Sequence, residues 1–288
     1  MRRALTGTAL GVALGLAACT IDKPLEEPAT VEVTTVTETA SSEQQAPEPS
    51  PPETPDKPQP SGADVTAELT SAMDQVVAAH GGTAAVSVGE SSVGDASGFA
   101  SWSTMKVPVA IAALREHPEM TVEATNAIEV SDNGAADMLW NATTPEAVEA
   151  VLAEGGTPVT VERTVTRPGF SAFGQTQWSV ADQARFASNL SCVNGAGPIL
   201  EMMGNVAQNY GLGTIPGARF KGGWGPSISG AYEVRQLGLV PDANGRIIPV
   251  AIAASAADGT YESAQVMLTQ LVTGLGPALD AAPEAACT

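Results

Sequence analysis

The chain has 288 residues with 13 basic and 32 acidic side chains, which gives a net charge of −19 and a length suited to one or two domains. Because a nucleic-acid-binding protein normally presents a basic face, this composition argues against that class of protein. The two histidines, His80 and His117, are too few for a zinc triad or a conventional histidine-based catalytic system, and we predict neither a metal nor a cofactor.

The N-terminal 18 residues have the pattern of a secretory signal peptide. Arg2 and Arg3 precede about fifteen small apolar residues, a stretch too short for a comfortable membrane span. The signal ends in Leu-Ala-Ala-Cys, which resembles the bacterial lipobox, where the cysteine sulfur receives a diacylglycerol. We therefore predict that residues 1–18 are removed and that Cys19 is lipidated, which anchors the protein to the outer face of the cell membrane. The alternative is an ordinary signal peptide with an incidental cysteine.

Residues 19–62 are predicted to be a disordered tether. Nine prolines lie between Pro24 and Pro60, separated mainly by polar and acidic residues. Such a segment cannot bury enough apolar surface to offset the entropy lost on ordering, and its prolines and like charges keep it extended. The tether is either a spacer that holds the domain predicted over residues 63–288 away from a membrane or a passive linker without a tuned length.

Hydrophobic periodicity, capping residues and turn residues predict five helices and three strands in the domain. In chain order they are a helix over 65–80, a strand over 83–88, helices over 103–116, over 143–155 and from 179, strands over 231–240 and 247–255, and a helix over 261–279. This order indicates an α/β fold, with a sheet flanked by terminal helices and a helical insert between them.

Two cysteines, Cys192 and Cys287, remain in the domain once Cys19 is lipidated. Two cysteines in an exported domain suggest one disulfide, because exported proteins fold in oxidising surroundings. The bond would hold the C-terminal end near the middle of the chain. The alternative is a pair of free thiols.

The domain contains seven arginines but only two lysines, Lys106 and Lys221, so the lysines need an explanation. A lysine, unlike an arginine, can lose its proton when desolvated and then act as a base. Lys106 follows Ser103 by three positions, and residues so spaced share a helix face. We therefore predict that the Ser103 hydroxyl meets the Lys106 amine, near a helix N-terminus that favours negative charge on the serine oxygen.

Two further short motifs follow along the chain. In Ser131-Asp132-Asn133, the serine is suited to relay a proton and the asparagine amide to bind a substrate carbonyl; an ordinary N-cap cluster is the alternative. In Lys221-Gly222-Gly223, a strand edge of glycines leaves room for a substrate backbone to pair alongside, and the lysine offers a cation to a substrate carboxylate. A plain turn is the alternative for this third motif.

The three motifs, S-x-x-K, S-D-N and a K-x-G element in that order, resemble the signature set of the penicillin-recognising serine enzymes. That superfamily includes class A β-lactamases and penicillin-binding D,D-peptidases. The resemblance covers most of residues 65–280. It implies a five-stranded antiparallel sheet with the terminal helices on one face, beside an all-helical subdomain. Only 28 positions separate Ser103 from Ser131, fewer than in class A enzymes, so this subdomain must be trimmed.

The resemblance also implies roles for residues at matching positions. Ser103 is the acylated nucleophile and Lys106 its base, while Ser131 and Lys221 pass the proton to the leaving nitrogen. The remaining implied site residues bind substrate: Asn133 holds the substrate amide, Gly223 leaves room for its backbone, and the N–H groups of Ser103 and Trp224 form the oxyanion hole.

Two departures from the family pattern bear on function. Gly222 stands where the family has the Ser or Thr whose hydroxyl helps bind the substrate carboxylate. The loop over 156–178 contains one acid, Glu162, and Thr166 rather than Asn follows it by four positions, so the E-x-x-x-N element of class A enzymes is missing. Because that glutamate activates the deacylating water, the sequence predicts a long-lived acyl-enzyme.

Three functions follow from these motifs. The first is a surface-tethered serine hydrolase that forms an acyl-enzyme with a β-lactam or with a D-Ala-D-Ala-type amide of a peptidoglycan stem peptide. The second is a catalytically degenerate scaffold that binds cell-envelope peptide or a partner protein. The third is an esterase for small acyl groups. We expect a monomer that contacts the membrane through its lipid and binds no nucleic acid.

Overall fold

A computed structural model describes residues 62–287, so the predicted signal peptide, most of the tether and Cys19 lie outside the described residues. The helices and strands are α1 Gly62–His80, β1 Thr83–Val88, β2 Ser91–Gly94, α2 Lys106–Glu116, α3 Thr121–Glu129, α4 Asn133–Asn141, α5 Pro145–Glu154, α6 Val180–Asn189, α7 Gly197–Met203, β3 Arg219–Pro226, β4 Tyr232–Pro241, β5 Ile247–Ser255, α8 Tyr261–Thr273 and α9 Gly276–Ala281. None of these helices is both long and apolar enough to cross a membrane.

The five described strands form one antiparallel sheet in the order β2-β1-β5-β4-β3. The predicted five-stranded antiparallel sheet is therefore confirmed. β3, which carries the third motif, is an edge strand, so one of its sides has no partner strand among the described residues.

The sheet separates two hydrophobic cores. Along β5, Val250 and Ile252 join the core formed with α1, α8 and α9, whereas Ala251 and Ala253 join the core formed with α2 to α7. This alternation follows from the two-residue period of a strand. α2 is buried along most of its length, so the segment that leads into it is held at the junction of the sheet and the helices.

Helix boundaries confirm some predictions and correct others. The hydroxyls of Thr144 and Ser179 accept hydrogen bonds from backbone N–H groups at the starts of α5 and α6, as predicted. The prediction of one final helix over 261–279 is wrong, because α8 ends at Thr273 with Gly274 as its C-cap, and α9 begins at Gly276 with Pro277 in its first turn. The predicted helix over 103–116 is α-helical only from Lys106, and a short 3₁₀ turn precedes it.

The predicted disulfide between Cys192 and Cys287 is present, with the two Cα atoms 5.6 Å apart. The backbone N–H of Cys287 also donates to the carbonyl of Ser188 at the end of α6. The C-terminal end is therefore fastened to the helical side of the domain.

Candidate active site

The turn that carries the candidate nucleophile is held in an unusual backbone conformation. Trp102, directly before Ser103, has a φ of 49°, in the left-handed region that bulky residues rarely adopt. Its indole N–H donates to Glu233 Oε2 at 3.0 Å, and the same oxygen accepts the N–H of Ala100 at 3.1 Å. Backbone strain of this kind persists only where the surroundings enforce it, and here Glu233 enforces it.

Glu233 and Arg235 on β4 are a buried pair of positioning residues that the sequence analysis missed. Arg235 donates to the carbonyls of Ala100 and Trp178, at 3.0 and 2.7 Å. Burial raises the pKa of the Glu233 carboxyl and lowers the pKa of Arg235 to about 10. Charged residues two positions apart within an apolar strand were the signal, since both must face the same side of the sheet.

The three motifs meet at the Ser131 hydroxyl. Lys221 Nζ donates to Ser131 Oγ at 2.9 Å and to the carbonyl of Gly222 at 2.8 Å. Lys106 Nζ lies 3.4 Å from the same Ser131 hydroxyl, 2.7 Å from the Ser131 carbonyl and 2.9 Å from Asn133 Oδ1. The serine hydroxyl therefore lies between two amines.

Ser103 Oγ makes no hydrogen bond with Lys106 Nζ among the described contacts, although the sequence predicted that these groups would meet. The amine instead turns toward the carbonyls of Ser131 and Asp132 and toward the side chain of Asn133. Ser103 and Lys106 still line the same cavity. Catalytic hydrogen bonds are often long in a ligand-free site and shorten when substrate binds.

Both amines are desolvated. Lys106 is 2% exposed, and burial lowers its pKa to about 8, although the negative charges of Asp132 and Asp137 act to raise it. Lys221 is 0% exposed, and burial together with the charge of Lys106 holds its pKa well below the ordinary value. A lysine with a lowered pKa accepts a proton near neutral pH, as a general base must.

The second motif contains both a helix cap and active-site groups. Asp132 accepts the N–H of Ala135 at 2.6 Å and caps α4, so the N-cap interpretation holds for this residue. Ser131 has a φ of 59°, and its side chain and that of Asn133 contact the lysines. The N-cap interpretation is therefore confirmed for Asp132, and the roles of Ser131 and Asn133 remain predictions.

Gly223 brings β3 against the backbone of the nucleophile turn. A Cβ at this position would lie 2.6 Å from the nitrogen of Ser103 and 2.9 Å from that of Thr104, so a side chain is excluded. Trp224, the next residue, lines the cavity, and its ring lies 5.5 Å from that of Tyr261. The strand backbone thus lies beside the Ser103 amide, where an oxyanion hole is needed.

Gly222 is backed by an amide side chain that the sequence analysis did not single out. A Cβ on Gly222 would lie 2.1 Å from Gln208 Oε1, so Gln208 occupies the space of a side chain there. Gln236, opposite Gly222 on β4, donates to the carbonyl of Tyr210 at 3.1 Å and to Gln208 Oε1 at 3.4 Å. A Ser or Thr at position 222 does not fit unless Gln208 moves.

A cavity of about 190 Å³ joins these groups. Five predicted site residues line it: Ser103, Lys106, Ser131, Asn133 and Trp224. Lys221 is fully buried and does not line the cavity, but its amine contacts the lining residue Ser131. Asp137 of α4, which the sequence analysis did not single out, also lines it; its position one helical turn after Asn133 was the available signal.

The loop over 156–178 forms the opposite wall from glycine, serine and aromatic residues. Glu162 is absent from the cavity lining; its Oε1 accepts the N–H groups of Arg163 and Thr164 at 2.9 and 2.7 Å. Phe170 packs edge-on against Trp102, with ring centroids 5.3 Å apart. The loop therefore closes the cavity with apolar surface, and its one carboxylate stabilises its own turn.

No protein-family model and no curated protein match the chain. Among solved structures, the TLA-3 extended-spectrum β-lactamase matches with a TM-score of 0.62 at 12% identity, over 75% of this chain and 99% of that one. A β-lactamase from Sphaerobacter thermophilus matches with a TM-score of 0.58 at 16% identity, over 77% and 99% of the two chains. An ancestral class A β-lactamase matches with a TM-score of 0.55 at 16% identity, over 73% and 98%. The chain therefore has the fold of class A β-lactamases, and at these identities the likeness establishes the fold alone.

Proposed function

We propose that the protein is a serine hydrolase that forms an acyl-enzyme with β-lactams or D-Ala-D-Ala-type amides and deacylates it slowly. The observation that carries the proposal is the Ser131 hydroxyl, which lies between two desolvated lysines at the wall of the cavity that contains Ser103. A pure binding module has no need of such a proton relay. The β-lactamase names of the structural neighbours support the β-lactam as one substrate.

In the acylation step, Ser103 Oγ attacks the amide carbonyl carbon and gives its proton to neutral Lys106. The carbonyl electron pair moves to oxygen, where the N–H groups of Ser103 and Trp224 stabilise the negative charge. When the tetrahedral intermediate collapses, the C–N bond breaks and the leaving nitrogen takes a proton through Ser131. The shared contacts of Ser131 Oγ with Lys106 and Lys221 support this path.

A labelled penicillin tests the proposal directly. After mixing, intact-protein mass spectrometry should find one adduct, and peptide mapping should assign it to Ser103. Ser103→Ala should abolish the adduct. Ser171→Ala is the matched control, because it removes a second serine hydroxyl from the same cavity lining and should leave the adduct unchanged. Adduct formation in Ser103→Ala would overturn the assignment of the nucleophile.

A catalytically degenerate scaffold is the second candidate, and the Gln208 side chain packed against Gly222 favours it. Such a scaffold binds a D-Ala-D-Ala peptide without acylation. Calorimetric binding of that peptide by wild-type protein, with no adduct from any β-lactam, would select this candidate. Turnover of a chromogenic ester without any reaction with amides would select the small-acyl esterase.

We also propose that the enzyme acts as a monomer anchored by a lipid on Cys19 to the outer face of the cell membrane. The lipobox-like sequence and the Pro-rich segment after it support the anchor. Wild-type protein should sediment with membranes, and Cys19→Ala should release it into the soluble fraction. Wild-type protein found wholly in the soluble fraction would overturn the anchor without affecting the catalytic proposal.

A further inference from the structure

Asp137 has a place in the cavity that neither the motifs nor the acylation step uses. It lies on α4 four positions after Asn133, and residues so spaced share one face of a helix. Asn133 and Asp137 both line the cavity together with Ser103. A carboxylate is therefore presented to the space in which an acyl group on Ser103 must lie.

The loop wall of the cavity supplies no base for the deacylating water. The loop contributes Phe170, Ser171, Phe173 and two glycines to the described lining, and none of these is a base. Asp137 is the one carboxylate in that described lining. Attack on an acyl ester needs a water positioned and deprotonated close to the carbonyl carbon, so the lining itself points to α4.

The Asp137 carboxylate is free to accept a proton from the deacylating water. No described residue forms a hydrogen bond or an ion pair with it, and its side chain is exposed to solvent at the cavity. The carboxylate of Asp132, the acid nearest in sequence, instead accepts the N–H of Ala135 and caps α4. The charge of Asp137 also acts on Lys106, which places the two groups within electrostatic reach of each other.

We infer that Asp137 is the general base that activates the deacylating water, a role that rests on the proposed acyl-enzyme. Asp137 takes a proton from water as the water oxygen bonds to the acyl carbon, and the carbonyl electron pair moves to oxygen. Collapse re-forms the carbonyl and breaks the bond to Ser103 Oγ, which takes the proton back from Asp137. The product leaves as a carboxylic acid, and the serine and carboxylate are restored.

Asp137→Asn tests this inference, because it removes the base and keeps the shape of the side chain. Rapid-quench mass spectrometry with a penicillin measures the rate of adduct formation and the lifetime of the adduct separately. Because general-base assistance contributes about 10²–10⁴-fold, we expect the adduct lifetime to rise by about that factor. Asp137→Glu should restore part of the deacylation rate, and Glu162→Gln, which changes a loop carboxylate outside the cavity lining, is the matched control.

The outcomes separate this inference from the proposed function. An adduct that forms and decays in Asp137→Asn as in wild type overturns the inference and leaves the acyl-enzyme standing. A slower formation of the adduct with an unchanged lifetime also overturns it, because Asp137 then acts only through the charge on Lys106. The absence of any adduct in wild-type protein overturns the proposed function, and the inference falls with it.

Discussion

The two walls of the cavity differ in chemical character. One wall, from the nucleophile turn, the start of α4 and β3, contains two buried amines that contact one serine hydroxyl, at 3.4 and 2.9 Å. The facing wall, from the loop over 156–178, contributes aromatic rings, glycines and one serine hydroxyl. In the proposed mechanism, the base for the nucleophile and the Asp137 base for the deacylating water both lie on the first wall, and the described loop lining contributes no base.

This difference explains how an enzyme can keep one half-reaction and alter the other. Acylation depends on groups that the fold buries together, so their loss would leave unpaired polar groups in the core. The loop is fastened by its own contacts, in which Gln175 Oε1 accepts the N–H groups of Thr166 and Arg167 at 3.0 and 2.7 Å. The end of the loop is also bonded to the nucleophile turn, since the carbonyl of Thr176 accepts the N–H of Ser101 at 2.8 Å, so a change of loop sequence is best tolerated before Phe173.

The largest expected effect is on the lysine-rich wall. Lys106→Met removes the base but keeps an unbranched apolar stem in the buried site. Because general-base assistance contributes about 10²–10⁴-fold, we expect the rate of adduct formation with penicillin to fall by about that factor, as measured by rapid-quench mass spectrometry. Arg185→Met, which changes an exposed side chain of α6, is the control and should leave the rate unchanged. An equal rate in Lys106→Met would reassign the base to another group.

The sequence predicted the members of this wall because each belongs to a short local motif. Residues three apart on a helix, or adjacent on a strand, have positions that local geometry fixes. The direction of the Lys106 amine was not predictable, because it depends on the carbonyls of a turn 25 residues away. Glu233 and Asp137 had local signals in their spacing from Arg235 and Asn133, but their contacts, like those of Gln208, form only when the fold brings distant segments together.

The second effect is the dependence of acylation on pH. The pKa of Lys106 is lowered to about 8, and only the neutral amine can accept the proton of Ser103. The neutral fraction rises with pH, so the acylation rate should level off above about pH 8 and fall roughly tenfold for each pH unit below it. Stopped-flow measurements with a chromogenic cephalosporin from pH 6 to 9 check this. A rate that increases as the pH falls would contradict the role of Lys106.

The third effect concerns the preference for the C-terminal group of a peptide substrate, which the resemblance places near Gly222. A second pocket shares Trp224 with the cavity; Gln208 and Glu129 line it, and its described lining contains no basic residue. An uncharged, hydrogen-bonding group suits such a pocket better than a carboxylate, and one hydrogen bond contributes about 1 kcal/mol, or about fivefold. Peptides ending in D-Ala-D-Ala carboxamide should therefore acylate the enzyme several-fold faster than the free acids.

A variant of the same pocket sharpens the third prediction. Gln208→Arg adds a cation beside Gly222, so it should favour the free acid and reverse the order of the two peptides. Gln208→Ala, which adds no charge, is the matched control. Competition between the two peptides for penicillin labelling measures the preference. A wild-type enzyme that prefers the free acid would show that Lys221 still serves the substrate carboxylate despite its burial.

The smallest expected effect is on the loop wall, and it is the strictest test of the contrast between the walls. Glu162→Gln keeps the side-chain oxygen that accepts the N–H groups of Arg163 and Thr164, so the turn should hold. Because Glu162 does not line the cavity, the lifetime of the penicillin adduct should change by less than about twofold, against the 10²–10⁴-fold of a lost general base. When both variants are measured under the same conditions, they compare a carboxylate that lines the cavity, Asp137, with one that does not, Glu162. If the lifetime instead rises strongly in Glu162→Gln, the loop must rearrange to bring Glu162 to the acyl group, and the two walls then act together in deacylation.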